Sequence, residues 1–260
     1  MNEFFIGLQF LTRINIVKQT IWTEESFGKS VKYFPLVGAV LGVCYAVPLF
    51  ILVYFTENQF PIFTGAAGFF LNVVLTGGIH CDGLMDSADG LFSGREKDKM
   101  LEIMKDSRAG AFGVVSLVTV AALEIAALAE LAKNFSMLLF VAVYAAPIIG
   151  RLAMVFAISN FPYARPEGLG KAFSKYATPK TFFTALVETI LLLLPLIFLE
   201  VEIFCAAIIA LAASIIFALY FGKYVTGKLG GLTGDIYGAV EFLAEVLVLI
   251  LFLFAGIYIN

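Results

Sequence analysis

The sequence predicts an all-α fold, a polytopic integral membrane helix bundle with about seven transmembrane helices. Of its 260 residues, 61% are hydrophobic and only 14% are charged, whereas soluble domains carry about 45–50% apolar and about 25% charged residues. Seven windows reach the roughly 20 predominantly apolar residues that a helix needs to cross a bilayer. A chain with so much apolar surface cannot bury it in one soluble core, so we expect lipid to be its solvent.

The chain opens with a short apolar stretch, residues 1–12, which Asn2, Glu3 and Gln9 interrupt. This stretch is too short for a span and predicts a short interfacial helix. It lacks the basic start and the small-residue cleavage site of a secretory signal peptide. The seven windows that follow are 33–55, 61–79, 109–132, 136–158, 181–199, 203–222 and 237–259. We expect residues 1–260 to form a single membrane-embedded domain.

The distribution of lysine and arginine predicts the orientation of the chain. With seven spans, alternate connections lie on opposite sides of the membrane, and all but Lys133 of the 17 basic residues fall on the side of the N-terminus. The positive-inside rule therefore predicts a cytoplasmic N-terminus in a multi-pass cell membrane protein. The long polar connections share that side, so we expect the functional site on the cytoplasmic face.

The longest polar interruption is the segment 77–113, which begins GGIHCDGLMDSADG and contains the only histidine, His80. Asp82, Asp86 and Asp89 are spaced i, i+4 and i+7, which places three carboxylates on one face of a helix. Their mutual repulsion is relieved by a divalent cation, and oxygen-only ligands favour Mg²⁺, Mn²⁺ or Ca²⁺ over zinc. The alternative is a solvated loop that carries ordinary acids.

Basic residues outside this triad form the next candidates for an anion site. Lys105, Ser107 and Arg108 precede the third window, where the N-terminus of a helix favours an anion. Anchoring by the positive-inside rule is the alternative. Arg165 lies in the loop PYARPEGLG and suits either bidentate phosphate binding or contact with lipid headgroups.

Charged residues within the apolar windows are costly unless they are paired. Arg151 lies in the fourth window, and either Glu124 or Glu188 is a candidate structural partner. A substrate phosphate is the functional alternative. Near the last window, Asp235 is followed by two glutamates that share a helix face, Glu241 and Glu245. They suggest either a functional site or a helix cap with a buried polar contact.

Two broader function classes are disfavoured by these patterns. Nucleic-acid binding is not expected, because no dense Lys/Arg patch with interleaved aromatic residues occurs in the sequence. A transporter with an ion path through Glu124, Arg151, Glu188 and Glu245 is the other alternative. Transporters usually place their site near the membrane midplane, whereas the polar sequence here is concentrated at one face.

The aspartate block together with KDSRAGAFG closely resembles the cobalamin synthase family, the adenosylcobinamide-GDP ribazoletransferases. Further matches follow in order along essentially the whole chain: LQFLTRI, YFPLVGAVLG, GRLAM, PYARPEGLG and GGLTGDIYGA. The departures are small. The family commonly has leucine at the position of Cys81 and proline at that of Asn15. Its glutamate usually lies one position beyond Glu241, which favours Glu245 as the functional one.

The resemblance implies a membrane phosphotransferase of cobalamin biosynthesis. Such an enzyme joins adenosylcobinamide-GDP to α-ribazole, or to its 5′-phosphate, and releases GMP with Mg²⁺ as cofactor. The product is adenosylcobalamin or its 5′-phosphate. The expected partners are these substrates and the lipid bilayer, and no nucleic acid is expected. Whether the protein forms a homo-oligomer is left open. The acid pattern also suggests CDP-alcohol phosphotransferases, but Leu84 and Met85 stand where their motif has alanine and arginine.

Under this resemblance, each candidate residue receives a predicted role in one site. The predicted metal ligands are the aspartates Asp82, Asp86, Asp89 and Asp235. The predicted acceptor of the hydroxyl proton is Asp89 or His80. The predicted phosphate- and substrate-binding residues are Lys105, Ser107, Arg108, Arg151, Arg165 and Glu245.

Overall fold

The fold is a bundle of α-helices. A computed structural model describes residues 2–18, 22–134 and 136–259. Within these ranges the β-type pairing is one parallel bridge between Tyr163 and Leu232. The helices are α1 Asn2–Leu11, α2 Glu24–Ser30, α3 Phe34–Thr56, α4 Pro61–Thr76, α5 Ile79–Leu91, α6 Lys97–Ile103, α7 Ala111–Asn134, α8 Ser136–Asn160, α9 Leu169–Tyr176, α10 Pro179–Leu193, α11 Val201–Leu229 and α12 Gly234–Ala255. The predicted all-α class is confirmed.

The described helices also confirm a polytopic membrane protein. Six of them are long and apolar enough to cross a bilayer, and a seventh span results if the bent pair α4 and α5 is counted as one. Large apolar side chains lie exposed on the helix surfaces, among them Phe55, Phe183 and Phe198. In water this surface would be unfavourable, whereas lipid tails cover it without cost.

The second predicted window, 61–79, does not continue as one straight helix. The chain bends by 93° between α4 and α5. The cause is the pair Gly77 and Gly78, which take the left-handed backbone conformation with φ values of 68° and 72°. Glycine adopts this conformation without the steric cost that a Cβ imposes. The bend ends the apolar helix and turns the aspartate segment into a separate helix, α5.

The centre of the bundle is α8, whose apolar window is 89% buried. It packs against α3, α10, α11 and α12, and α12 in turn packs against α5. The approach of α5 to α12 is close because Gly83 faces the start of α12. A Cβ at Gly83 would lie 2.7 Å from the Asp235 carbonyl oxygen. This contact places the aspartate helix directly beside the first turn of α12.

A short helix, α1, forms where the sequence predicts one and packs against the bundle, and its interfacial position stays a prediction. Its residues Ile6, Leu8 and Leu11 are almost fully buried, and it contacts α2 and α3. The segment after it is tied to the bend, because the Arg13 backbone N–H donates to the Leu75 carbonyl oxygen at 2.7 Å. The segment that follows α1 therefore lies beside the start of α5.

Candidate active site

The carboxylates of α5 are joined by a fourth from α12. Because α5 is helical over Ile79–Leu91, Asp82, Asp86 and Asp89 share one face, as their spacing predicts. The Asp86 carboxylate is repelled by Asp82, Asp235 and Asp89 and attracted by Arg165. Asp235 comes close because it lies in the first turn of α12, opposite Gly83. Residues far apart in sequence thus form one charged cluster.

Arg165 reaches this cluster through the parallel bridge between two loops. The Ala164 N–H donates to the Leu232 carbonyl at 2.8 Å, and the Leu232 N–H donates to the Pro162 carbonyl at 2.8 Å. These bonds fix the loop after α8 beside the loop that precedes α12. As a result, Arg165 Nη2 lies 3.0 Å from Asp235 Oδ2, with both side chains largely buried. The cluster therefore contains one arginine able to bind an anion bidentately.

A cavity of about 280 Å³ adjoins these charges. Asp82, Asp235, Arg165 and His80 contribute its polar wall, and the remaining wall is rich in aromatic rings, from Phe10, Tyr163, Phe173 and Tyr237. Burial raises the pKa of the Tyr163 hydroxyl, so this group stays protonated at neutral pH. From sequence patterns alone, these aromatic residues are assigned to packing. The one sequence feature that links any of them to the site is that Tyr163 stands two positions before Arg165.

Asp89 makes contacts that its spacing does not reveal. One carboxylate oxygen accepts the Gly110 N–H at 2.7 Å and the other accepts the Gly113 N–H at 2.8 Å. Both donors lie at the N-terminus of α7, where unpaired N–H groups and the helix dipole favour a negative charge. Asp89 therefore caps α7 from α5 and holds the two helices together. Its roles as proton acceptor and metal ligand stay predictions.

The donor chemistry of the cluster fits Mg²⁺. Asp82 and Asp235 line the cavity, and Asp86 belongs to the same charged cluster. Mg²⁺ usually binds one or two carboxylates and completes its shell with water and substrate phosphates. Within residues 2–18, 22–134 and 136–259 there is no group of three or more His, Cys, Asp or Glu side chains in ligating geometry. A shell shared between protein carboxylates, water and substrate is the form that these side chains suit.

Arg151 is fully buried and belongs to an ion cluster of the bundle interior. Its Nη1 lies 2.6 Å from Glu241 Oε1 and 2.7 Å from Glu245 Oε1. The predicted structural partners, Glu124 and Glu188, are therefore wrong. The two glutamates are its partners because they stand one helical turn apart on α12, which packs against α8. Neither Arg151 nor Glu245 lines the cavity, and their substrate-binding roles stay predictions.

Glu241 is the residue that sequence reasoning undervalued, because Glu245 fits the family pattern better. Its second oxygen lies 2.7 Å from His80 Nδ1, and both side chains are almost fully buried. It thereby links the ion cluster to the cavity, which His80 lines. The sequence feature that points to Glu241 is its i, i+4 spacing with Glu245. The role of His80 as proton acceptor stays a prediction.

The basic segment before α7 lies outside the cavity wall. Lys105, Ser107 and Arg108 are exposed to solvent, and none of the three lines the cavity. Arg108 instead pairs with Asp106 at 2.7 Å, and this arginine lowers the pKa of Asp106 to about 2. The structure brings Arg165 and Asp235 to the aspartate triad and leaves this segment at the surface. Its phosphate-binding role stays a prediction.

Comparison with known proteins identifies the family of the chain. A family described as cobalamin-5-phosphate synthase matches residues 3–253. A protein of Desulfitobacterium hafniense named adenosylcobinamide-GDP ribazoletransferase is 40% identical over 251 residues, covering 96% of both chains. Proteins of the same name from Syntrophobacter fumaroxidans and Fusobacterium nucleatum are 37% and 32% identical. They cover 95% and 97% of this chain and 96% and 97% of their own. No solved structure matches the chain. This chain belongs to the cobalamin-5-phosphate synthase family.

Proposed function

We propose that this protein is an adenosylcobinamide-GDP ribazoletransferase of the membrane. It joins adenosylcobinamide-GDP to α-ribazole, or to α-ribazole 5′-phosphate, and releases GMP. The observation that carries this proposal is the convergence of Asp82, Asp86, Asp235 and Arg165 beside the aromatic-lined cavity. An arginine suits a diphosphate directly and carboxylates suit it through a bound divalent cation, while aromatic rings suit the flat base of the ribazole.

The reaction breaks one phosphorus–oxygen bond and forms another. A hydroxyl oxygen of the ribazole attacks the phosphorus that carries cobinamide, the bond from that phosphorus to the bridging oxygen breaks, and GMP leaves. Mg²⁺ bound by one or two of the predicted ligands Asp82, Asp86 and Asp235, with water and substrate oxygens completing its shell, would offset the charge of the diphosphate. Arg165 binds a phosphate oxygen once the substrate competes with Asp235 for it. The hydroxyl proton passes to His80 or Asp89, the two predicted acceptors.

The ion pair between Arg165 and Asp235 prepares the site for a phosphate. Arg165 and Asp235 neutralise each other at 3.0 Å, so the site holds its arginine in position before an anion arrives. An arginine fixed in this way loses little conformational freedom on binding phosphate. The aromatic side chains lower the polarity of the neighbouring space, which strengthens the charge interactions at the reacting phosphorus.

We place this site at the cytoplasmic face of the cell membrane, with the N-terminus in the cytoplasm. The support is the distribution of lysine and arginine: with α4 and α5 counted as one of seven spans, all but Lys133 fall on the side of the aspartate segment. A cytoplasmic site has access to nucleotide-activated substrates. Protease protection of tagged termini in inside-out vesicles tests the orientation, and cleavage of a C-terminal tag from the cytoplasmic side contradicts it.

The direct test is turnover by the purified protein in lipid nanodiscs. We expect adenosylcobinamide-GDP, α-ribazole and Mg²⁺ to give adenosylcobalamin by mass spectrometry, with GMP released in equal amount and with EDTA abolishing turnover. Asp86→Ala should lower GMP release by about 10²-fold or more, since it removes a predicted ligand of the Mg²⁺ that offsets the diphosphate charge. The matched control is Asp98→Ala, which removes an exposed aspartate of α6.

Two other outcomes reject the proposal in favour of its competitors. CMP release from a CDP-activated lipid, without turnover of the cobinamide nucleotide, identifies a CDP-alcohol phosphotransferase. Substrate flux into sealed vesicles without product formation identifies a transporter. Full GMP release by Asp86→Ala leaves the reaction intact and refutes the metal assignment alone.

A further inference from the structure

A second cavity, of about 450 Å³, lies beside the first, and the two share Phe10, Ile79 and Asp82. Its wall differs in chemistry from that of the aromatic-lined cavity. Polar side chains from the end of α1 and the end of α4 contribute to it, together with the backbone of the bend between α4 and α5. They include Gln9, Thr12, Arg13 and Thr76. A polar cavity with an arginine suits a phosphorylated ligand better than a flat base.

Arg13 is the cation of this second cavity. Its backbone N–H donates to the Leu75 carbonyl at 2.7 Å, which anchors the residue at the end of α4. Its guanidinium lies against Gly77, where a Cβ would collide with Arg13 Nε. The residue is exposed, and the ion pairs found among the described residues do not include it. Arg13 is therefore positioned by the backbone while its charge is available to a ligand.

A transferase that joins two substrates needs two binding spaces that meet at the reacting atoms. The two cavities meet at Asp82, which is a predicted metal ligand. The aromatic-lined cavity contains Tyr163, Phe173 and Tyr237 beside the shared Phe10, whereas the second cavity has Phe10 as its one ring and contains Arg13 and hydroxyl groups. The difference in wall chemistry assigns the base to the former and the phosphate groups to the latter.

We infer that Arg13 binds the diphosphate of the GDP-bearing substrate in the second cavity, opposite a ribazole base held in the aromatic-lined cavity. This inference rests on the proposed function and adds a binding residue to it. Guanidinium suits this task because its planar N–H groups pair bidentately with phosphate oxygens. Arg13 and Arg165 then contact the substrate phosphates from two cavities, with Asp82 between them.

The test compares Arg13→Gln and Arg13→Lys with wild type, and with Arg95→Gln as a control that removes an exposed arginine elsewhere. Binding of adenosylcobinamide-GDP is measured by isothermal titration calorimetry without α-ribazole, and KM is measured for each substrate. A charge-assisted hydrogen bond lost in Arg13→Gln should raise Kd and KM for adenosylcobinamide-GDP on the order of tenfold to a hundredfold. The KM for α-ribazole should not change. For Arg13→Lys, Kd and KM for adenosylcobinamide-GDP should lie between those of wild type and Arg13→Gln.

A reciprocal variant separates binding from a general loss of structure. Tyr163→Leu should raise the KM for α-ribazole and leave Kd for adenosylcobinamide-GDP unchanged. Unchanged nucleotide binding in Arg13→Gln, or an equal rise of both KM values, overturns the inference. These results differ from failure of the proposed function, in which wild type itself releases no GMP and binds no adenosylcobinamide-GDP. If Arg13→Gln does not fold, Arg13→Lys decides, because it keeps the charge and loses only the bidentate geometry.

Discussion

The contact at Gly83 makes the convergence of the aspartates sensitive to a single methyl group. Gly83 lies on α5 between Asp82 and Asp86, and it faces the first turns of α12. A Cβ at this position would lie 2.7 Å from the Asp235 carbonyl oxygen and 3.3 Å from Gly238 Cα. Both neighbours are backbone atoms, so they cannot rotate away as a flexible side chain can. Gly83→Ala therefore separates α5 from α12.

The size of this separation follows from the contact distances. Ordinary van der Waals contact begins at 3.4 Å, so the helices must move apart by about 0.7 Å to accept the methyl group. Asp82 and Asp86 move with α5 while Asp235 stays with α12. A misplacement of about 1 Å can cost on the order of 10²-fold in rate, and overpacking of this kind costs about 1–3 kcal/mol of stability. We expect kcat/KM to fall by about this factor.

The assay is GMP release in nanodiscs across a range of Mg²⁺ concentrations, with thermal unfolding measured in parallel. Gly227→Ala is the matched control, since a Cβ at Gly227 meets no atom within 4 Å. This control should retain full activity and gain up to about 1 kcal/mol from the higher helix propensity of alanine. Undiminished kcat/KM in Gly83→Ala, with the protein folded, would refute the view that close packing of α5 and α12 assembles the site.

Two further predictions concern charges that join one helix to another. Arg151→Met leaves Glu241 and Glu245 without their shared partner in the bundle interior, where Arg151 is 0% exposed. We expect a loss of about 3–5 kcal/mol, seen as a lower Tm and largely restored by the triple variant Arg151→Met/Glu241→Gln/Glu245→Gln; an unchanged Tm for the single variant contradicts this. Asp89→Asn keeps a carboxamide oxygen for one N–H of α7 but loses the charge at the helix N-terminus. We expect about 1 kcal/mol of lost stability, and a Tm equal to that of wild type would speak against the cap.

Features that depend on neighbours in sequence were predictable. Six of the seven apolar windows predicted a span with its approximate bounds, because a bilayer requires about 20 apolar residues in a row. The i, i+4, i+7 spacing determined the common face of Asp82, Asp86 and Asp89, because helix geometry repeats every 3.6 residues. The bend at Gly77–Gly78 could not be predicted in this way, because glycine permits a left-handed turn without requiring one.

Features that join distant segments were decided by the tertiary structure alone. Arg165 meets Asp235 because two loops pair through the bridge between Tyr163 and Leu232, and no local pattern encodes that pairing. Arg151 pairs with Glu241 and Glu245, not with Glu124 or Glu188, because the packing of α8 against α12 selects which of several glutamates lies within reach. The sequence by itself therefore determined the fold class of the protein, six of its spans and its aspartate face. Helix packing decided which charges face one another. The strength of a charge interaction depends on distance in space, and local sequence periodicity carries no information about the distance between residues on different helices.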